Sequence, residues 1–265
     1  MTIFNVDAQI LPDKYYQPYT IQKSKIDSCI ITRINSDSAK RVDLRVAYDR
    51  KGNKMTFLDQ LNGSRIVFKY SLDSLLQVQE FYMKVNGKEQ KAGMDSFFYD
   101  ASRKKVFYHS IVKSKKGDVH ITIKYYYKGD TLDKEEYRLN KDIFKTVYHS
   151  YDRINNIEMV TTVSSKEPNT NQFYKRDAQG KLVKYFSLNL SGDTTYVHVY
   201  KYDEQGRIVQ TVTYDSRSNV SNIYKTTYYP NGMIKREEEY LNIMFGDRST
   251  AIYQRKEYRY ITGKQ

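Results

Sequence analysis

The chain reads as an all-β protein, an antiparallel meander of repeated β-hairpins forming an elongated or curled sheet. Three observations predict it: turn motifs recurring at a fixed period, two-residue alternation between them, and a composition rich in tyrosine, threonine and valine. Gly180, Gly206 and Gly232 lie 26 residues apart, in the segments Asp177-Ala-Gln-Gly180, Asp203-Glu-Gln-Gly206 and Tyr229-Pro-Asn-Gly232. A period of this size marks one small supersecondary unit stacked repeatedly.

Each Asp-x-x-Gly segment has the chemistry of a tight hairpin turn. The aspartate can accept a hydrogen bond from the backbone two residues on, and the glycine can take positive φ without a Cβ clash. A type I turn closed by a left-handed glycine is a common hairpin solution. In the third copy Pro230 occupies the second turn position, where its fixed φ fits. Between the turns Tyr196, His198, Tyr200 and Tyr202 alternate with Thr195, Val197, Val199 and Lys201, so the two sets occupy opposite faces of a strand. A looser turn halves each repeat, at Ser191-Gly-Asp193 and Ser216-Arg-Ser-Asn219. Each repeat is then two strands of eight to ten residues, about 26–34 Å long.

The same grammar extends backward. Tyr48-Asp49-Arg-Lys-Gly52 matches it, Tyr151-Asp152-Arg-Ile-Asn155 puts asparagine at the left-handed position, and Tyr99-Asp100-Ala-Ser-Arg103 keeps only the aspartate. Turn signals at Asn62-Gly63, Asn86-Gly87, Lys116-Gly-Asp118 and Lys128-Gly-Asp130 fill the gaps through to Gly246. The spacing is that of an all-β meander of about 16–18 strands, more than an open twisted sheet usually tolerates. Residues 1–40 read as an irregular N-terminal segment, 41–150 as a degenerate meander and 151–265 as the clear repeats, with a soft boundary near Tyr148–Tyr151. Ser71–Met83, the one run with a helical alternative, reads as strand.

Composition narrows the class. The 265 residues include 27 Tyr and no Trp, carry a net charge of +13, and have a mean hydropathy of −0.76. Thin β-structure suits this, with tyrosine rings and lysine stems covering a sheet while their polar ends stay wet. The excess charge favours acidic partners, although lysines also solubilise sheet faces and discourage edge pairing. Short basic clusters stand at Arg103-Lys-Lys105 and at Lys113, Lys115 and Lys116, the last three being the candidate basic patch. Cys29 is alone, which excludes an intrachain disulfide. The first residues lack the pattern of a leader, and no apolar run is long enough for a membrane helix.

Signals for chemistry are sparse. His109, His120, His149 and His198 are far apart, so no metal site is expected. The glycines close hairpins and build no phosphate loop. Of Glu237-Glu238-Glu239 only Glu237 and Glu239 can share a face, and Glu135 and Glu136 cannot; both runs read as solvated charge. No cofactor and no enzymatic activity are expected. The aromatic rows are the candidate binding surface: Tyr196, Tyr200 and Tyr202, with Tyr224 and Tyr228 on the next repeat, and His198 because it shares their face. Exposed tyrosines can stack on sugars or bases or serve a protein interface.

Tyr200-Lys-Tyr-Asp203-Glu-Gln-Gly206-Arg-Ile208 resembles the Tyr-Asp repeat of RHS-type cell-surface and toxin-shell proteins. Tyr228-Tyr-Pro-Asn-Gly232-Met-Ile-Lys235-Arg-Glu237 is similar to the variant MORN repeat. The resemblance covers about residues 170–240 and implies stacked hairpins with no catalytic residues. It also implies a secreted or cell-envelope location in a Gram-negative bacterium, against a cytoplasmic one. The expected role is a binding or structural module presenting a Tyr- and Lys-rich face to a protein partner or an anionic surface glycan. Two rivals stand beside it: a charge-driven binder of nucleic acid or anionic lipid, and a hydrolase with its site in the first half.

Overall fold

The computed structural model describes residues 22, 25–35, 40–59, 63–165, 168–189, 191–216, 220–243 and 252–262. Among them run eighteen strands. The first nine are β1 (Ile26–Asn35), β2 (Lys40–Tyr48), β3 (Lys54–Asp59), β4 (Arg65–Tyr70), β5 (Leu76–Val85), β6 (Lys88–Tyr99), β7 (Lys105–Val112), β8 (Val119–Lys128) and β9 (Thr131–Leu139). The rest are β10 (Asp142–Asp152), β11 (Ile157–Ser164), β12 (Thr170–Arg176), β13 (Leu182–Leu188), β14 (Thr194–Tyr202), β15 (Ile208–Asp215), β16 (Val220–Tyr228), β17 (Ile234–Ile243) and β18 (Ile252–Thr262). Ser71–Leu75 is a turn and the strand begins at Leu76, so the helical alternative for Ser71–Met83 does not form.

Every strand pairs antiparallel with its sequence neighbours, and β1 pairs with both β2 and β18. The meander therefore closes into an eighteen-stranded barrel, where the sequence suggested an elongated or curled sheet. Closure removes the two rows of unpaired backbone groups that an open sheet would leave at its edges. The closing strand lies within residues 1–40, the stretch read as irregular. Its alternation is masked because isoleucines occupy both faces: Ile31 points inward and Ile30 outward, opposite Leu44 and Arg45 of β2.

The turns divide into two rims. At one rim, the turns after β2, β4, β6, β12, β14 and β16 share one geometry. The amides of Gly52, Ser74, Arg103, Gly180, Gly206 and Gly232 donate to the carbonyls of Asp49, Ser71, Asp100, Asp177, Asp203 and Tyr229 at 2.9–3.0 Å. All six donors have positive φ, including Arg103 at 65° and Ser74 at 66°. Arg103 thus takes the left-handed place although it is not glycine. In the Asp152 turn that role falls to Asn156 (φ 53°), one residue later than the motif suggested, because Asp152 Oδ1 captures the amides of Ile154 and Asn155. Residues 217–219 of the Ser216–Asn219 turn, Asn62 and Gly246 lie outside the described residues.

A β-bulge precedes most of these turns, and its residue is usually tyrosine. Register shifts fall at Tyr48, Tyr70, Tyr99, Tyr127, Tyr202 and Tyr228. This explains the Tyr-Asp dipeptide physically. The Tyr202 hydroxyl donates to the Leu182 carbonyl and Tyr228 to Ile208, each at 2.7 Å, so each repeat is tied to the one before. Tyr99 and Tyr127 do the same to Leu76 and Lys105 at 2.9 Å. The residue after the left-handed position supplies a cation over the next tyrosine ring: Lys104 over Tyr127, Lys181 over Tyr202 and Arg207 over Tyr228, at 5.4, 5.5 and 4.5 Å.

Alternation sorts the side chains into an inner and an outer face, and the buried residues fall on the inner one. The tight packing lies at the closure, where Cys29, Ile31, Val46, Ile234 and Tyr258 form a core with Met233 and Ile26 beside it. Burial pushes the Cys29 thiol up to about 12, with a bond to Tyr260 opposing the shift. Around β8–β16 the inner face is different. Tyr125, Tyr137, Tyr174, Tyr185, Tyr196, Tyr200 and Tyr224 point inward yet stay partly accessible.

Candidate functional site

The outer face carries several ion-paired clusters beside exposed apolar side chains such as Phe98 and Val163. Glu80 bridges Lys69 and Lys91 at 2.9 and 2.8 Å, and Glu136 bridges Lys134 and Arg138 at 2.8 and 3.4 Å. Arg236 pairs with Glu238, and Arg255 with Glu257. A membrane-inserted barrel instead shows lipid an apolar band, and each Lys or Arg at the bilayer midplane costs about 2–4 kcal/mol. No helix among the described residues is long and apolar enough to cross a membrane.

One outer sector departs from this paired pattern. Lys175, Lys184, Lys201 and Lys225 project outward from β12, β13, β14 and β16, all exposed, and none has an ion-pair partner among the described residues. Lys175 stands directly opposite Lys184, Lys201 and Lys225 both face Gln210, and Lys225 also faces Glu238 of β17 with its ammonium 4.8 Å over the Tyr240 ring. Like charges placed directly opposite each other destabilise a sheet. Phe173 and Phe186 stack beside them with centroids 4.8 Å apart and planes 7° apart, and Lys184 lies over the Phe186 ring at 5.2 Å. Lys113, Lys115 and Lys116 sit instead at a turn on the rim opposite the tyrosine bulges, where Lys113 pairs with Asp118.

The predicted tyrosine row lies on the inner face, so it does not share a face with Lys175, Lys184, Lys201 and Lys225. Cross-strand register orders it into rows. Gln172, Ser187, Tyr196 and Asp215 form one row across β12–β15. Tyr174, Tyr185, His198 and Thr213 form the next, followed by Tyr200, Thr211 and Tyr224. Ring centroids separate Tyr174 from Tyr185 by 5.0 Å, Tyr185 from His198 by 5.4 Å and Tyr196 from His198 by 4.6 Å. Burial lowers the His198 pKa from its ordinary value, which keeps the imidazole neutral. Tyr202 and Tyr228 end their strands at the bulges, their hydroxyls committed to backbone carbonyls.

Folding also assembles groups that looked unrelated in sequence. His149 Nε2 lies 2.9 Å from Glu135 and its Nδ1 lies 3.1 Å from Glu158, while Tyr137 and Tyr151 donate to the same two carboxylates. Both ring nitrogens are engaged, so the cluster braces β9–β11 from within. Glu237 accepts from Tyr258 at 2.6 Å and Glu239 from Tyr224 at 3.0 Å, both on the inner face. On the outer face His109 Nε2 and His120 Nδ1 meet at 3.0 Å. Among the described residues no group of three or more His, Cys, Asp and Glu is arranged to hold a metal ion.

No protein-family model matches the chain, and no curated protein does. Among solved structures it is similar to a porin-like protein from Bacteroides uniformis ATCC 8492, at 8% identity and a TM-score of 0.43, over 89% of this chain and 98% of that one. A porin-like protein from Bacteroides vulgatus ATCC 8482 aligns at 11% identity and a TM-score of 0.40, with the same coverage. A third similarity is to TcdB2-TccC3 without its hypervariable C-terminal region, at 13% identity and a TM-score of 0.27, over 86% of this chain and 16% of that one.

Proposed function

We propose that this chain is a non-enzymatic cell-envelope or secreted β-barrel that binds an anionic surface glycan through its outer face. The observation that carries the reading is the row of exposed lysines across β12–β16 that have no ion-pair partner among the described residues. Elsewhere on the outer face, Lys69, Lys91, Lys134 and Arg236 have carboxylate partners. Lys175 opposite Lys184 is a repulsive pair that an anionic ligand would relieve. The exposed barrel wall and the flanking Phe173–Phe186 stack suit an extended, semi-rigid chain of sulfated or uronic sugars. The tyrosine clasp between repeats supports reading residues 170–240 as a scaffold of the RHS or variant MORN kind, which favours an extracytoplasmic setting.

The test is salt elution from immobilised heparin, comparing wild type with a variant carrying Gln at Lys175, Lys184, Lys201 and Lys225. The variant should bind about ten- to a hundredfold more weakly, at up to ~1 kcal/mol per exposed ionic contact. It should unfold no earlier in urea, because a like-charge pair has been removed. Equal elution of the two proteins would sink the proposal. Tighter binding to duplex DNA than to heparin at the same salt would turn it toward nucleic acid.

A further inference from the structure

On the inner face, at the rim away from the tyrosine bulges, β12–β15 and the turns beside them line an open pocket of about 740 Å³. Its wall is the Gln172, Ser187, Tyr196 and Asp215 row, and its lip comes from the turns around Asn169, Asn189 and Ser191. The volume is that of a small-molecule site, and barrel mouths are a common place for one.

The chemistry of the wall is specific. Tyr174 donates to Gln172 Oε1 at 3.2 Å, which turns the Gln172 amide and leaves its nitrogen without a partner among the described residues. Ser187 and Thr195 hydrogen-bond each other at 2.8 Å, fixing two hydroxyl oxygens at the pocket. The Tyr196 hydroxyl has no partner among the described residues, and its ring is held edge-on to His198 at 4.6 Å. Behind this polar row lies the aromatic row of Tyr174, Tyr185 and His198. The pocket itself therefore offers hydroxyl and amide groups beside a single ring, that of Tyr196.

From this arrangement we propose that the pocket binds a neutral saccharide, with Gln172 and the Tyr196 hydroxyl hydrogen-bonding sugar hydroxyls and the Tyr196 ring covering an apolar sugar face. No Lys or Arg is among the described residues that line the pocket, so the site offers no ion pair to an anionic sugar. The pocket thus differs in charge preference from the lysine row outside, and either site can exist without the other.

The test uses maltohexaose, cellohexaose and N-acetylchitohexaose as probes, each at about 5 mM, above the ~1 mM Kd of a weak site. Binding is read by saturation-transfer NMR and calorimetry. At least one probe should bind the wild type. Tyr196→Ala and Gln172→Ala should each weaken that binding by about tenfold, the scale of one lost hydrogen bond or ring contact. Tyr196→Phe keeps the ring and should lose less, which separates a contact role from a folding defect. Saturating heparin should displace nothing, and the outer quadruple lysine variant should bind the probe as the wild type does. Failure of all three probes, binding that survives Tyr196→Ala, or displacement by heparin would each overturn the proposal.

Discussion

Glu80 shows how single side chains are set by their face. It sits on the outer surface between two ammonium groups, and its bonds to Lys91 and then Lys69 hold its carboxyl down to about 2, against an ordinary value of 4.5. The folded pKa is the depressed one, so the stabilisation is complete above pH 4.5 and disappears as pH falls toward 2. The urea midpoint of the wild type should drop over that interval, and Glu80→Gln should drop less. Equal slopes would mean that the two lysines contribute nothing in solution. The lysines of the outer sector illustrate the converse. Lys113, Lys115 and Lys116 stand out in sequence because they are adjacent, yet Lys113 is paired within its own turn. Lys175 and Lys184 are nine positions apart in the chain and opposite in space, so register reveals them and composition cannot.

The hairpin unit was the most legible level, because its chemistry is local. Asp177 and Asp203 each accept two turn amides through Oδ1, as the Asp-x-x-Gly pattern implies. The turn at Ser71–Ser74 was hidden because its left-handed residue is serine, and Arg103 was hidden because arginine pays no visible tribute to positive φ in a sequence. The role of the tyrosine before the aspartate was not legible either, since its partner carbonyl lies 20 residues back. Tyr228→Phe should therefore lower stability by about 1 kcal/mol, the usual worth of one such hydrogen bond. Tyr200→Phe, whose hydroxyl has no partner among the described residues, should cost less than ~0.5 kcal/mol. Chemical denaturation of the two variants decides it, and equal losses would deny the clasp its role.

At the scale of the molecule, stability concentrates where the ring closes. Ile31 and Val46 are 3% and 2% exposed, whereas the aromatic residues of the opposite inner wall remain partly wet. Ile31→Ala should cost about 2–4 kcal/mol in urea unfolding, while Ile223→Ala on the outer face should cost under ~1.5 kcal/mol. A barrel that tolerates both equally has no seam core. Closure itself could not be read from the chain, because β1 meets β18 across the whole length of the sequence and only the sum of all registers brings them together. The pocket was unreadable for the same reason: its row collects residues from four strands.

The parity of the ring has a further effect. An even number of antiparallel strands returns the backbone to the pole from which it set out, and Ile26 ends up facing Thr262. Whatever polypeptide precedes or follows the barrel leaves from that one pole, the side of the tyrosine clasps, and the saccharide pocket opens at the other. Joining Ile26 to Thr262 by a short linker and cutting a turn elsewhere would give a circular permutant with the same wall. A tether at either end would hold the molecule upright, its sugar-facing mouth turned away from the point of attachment.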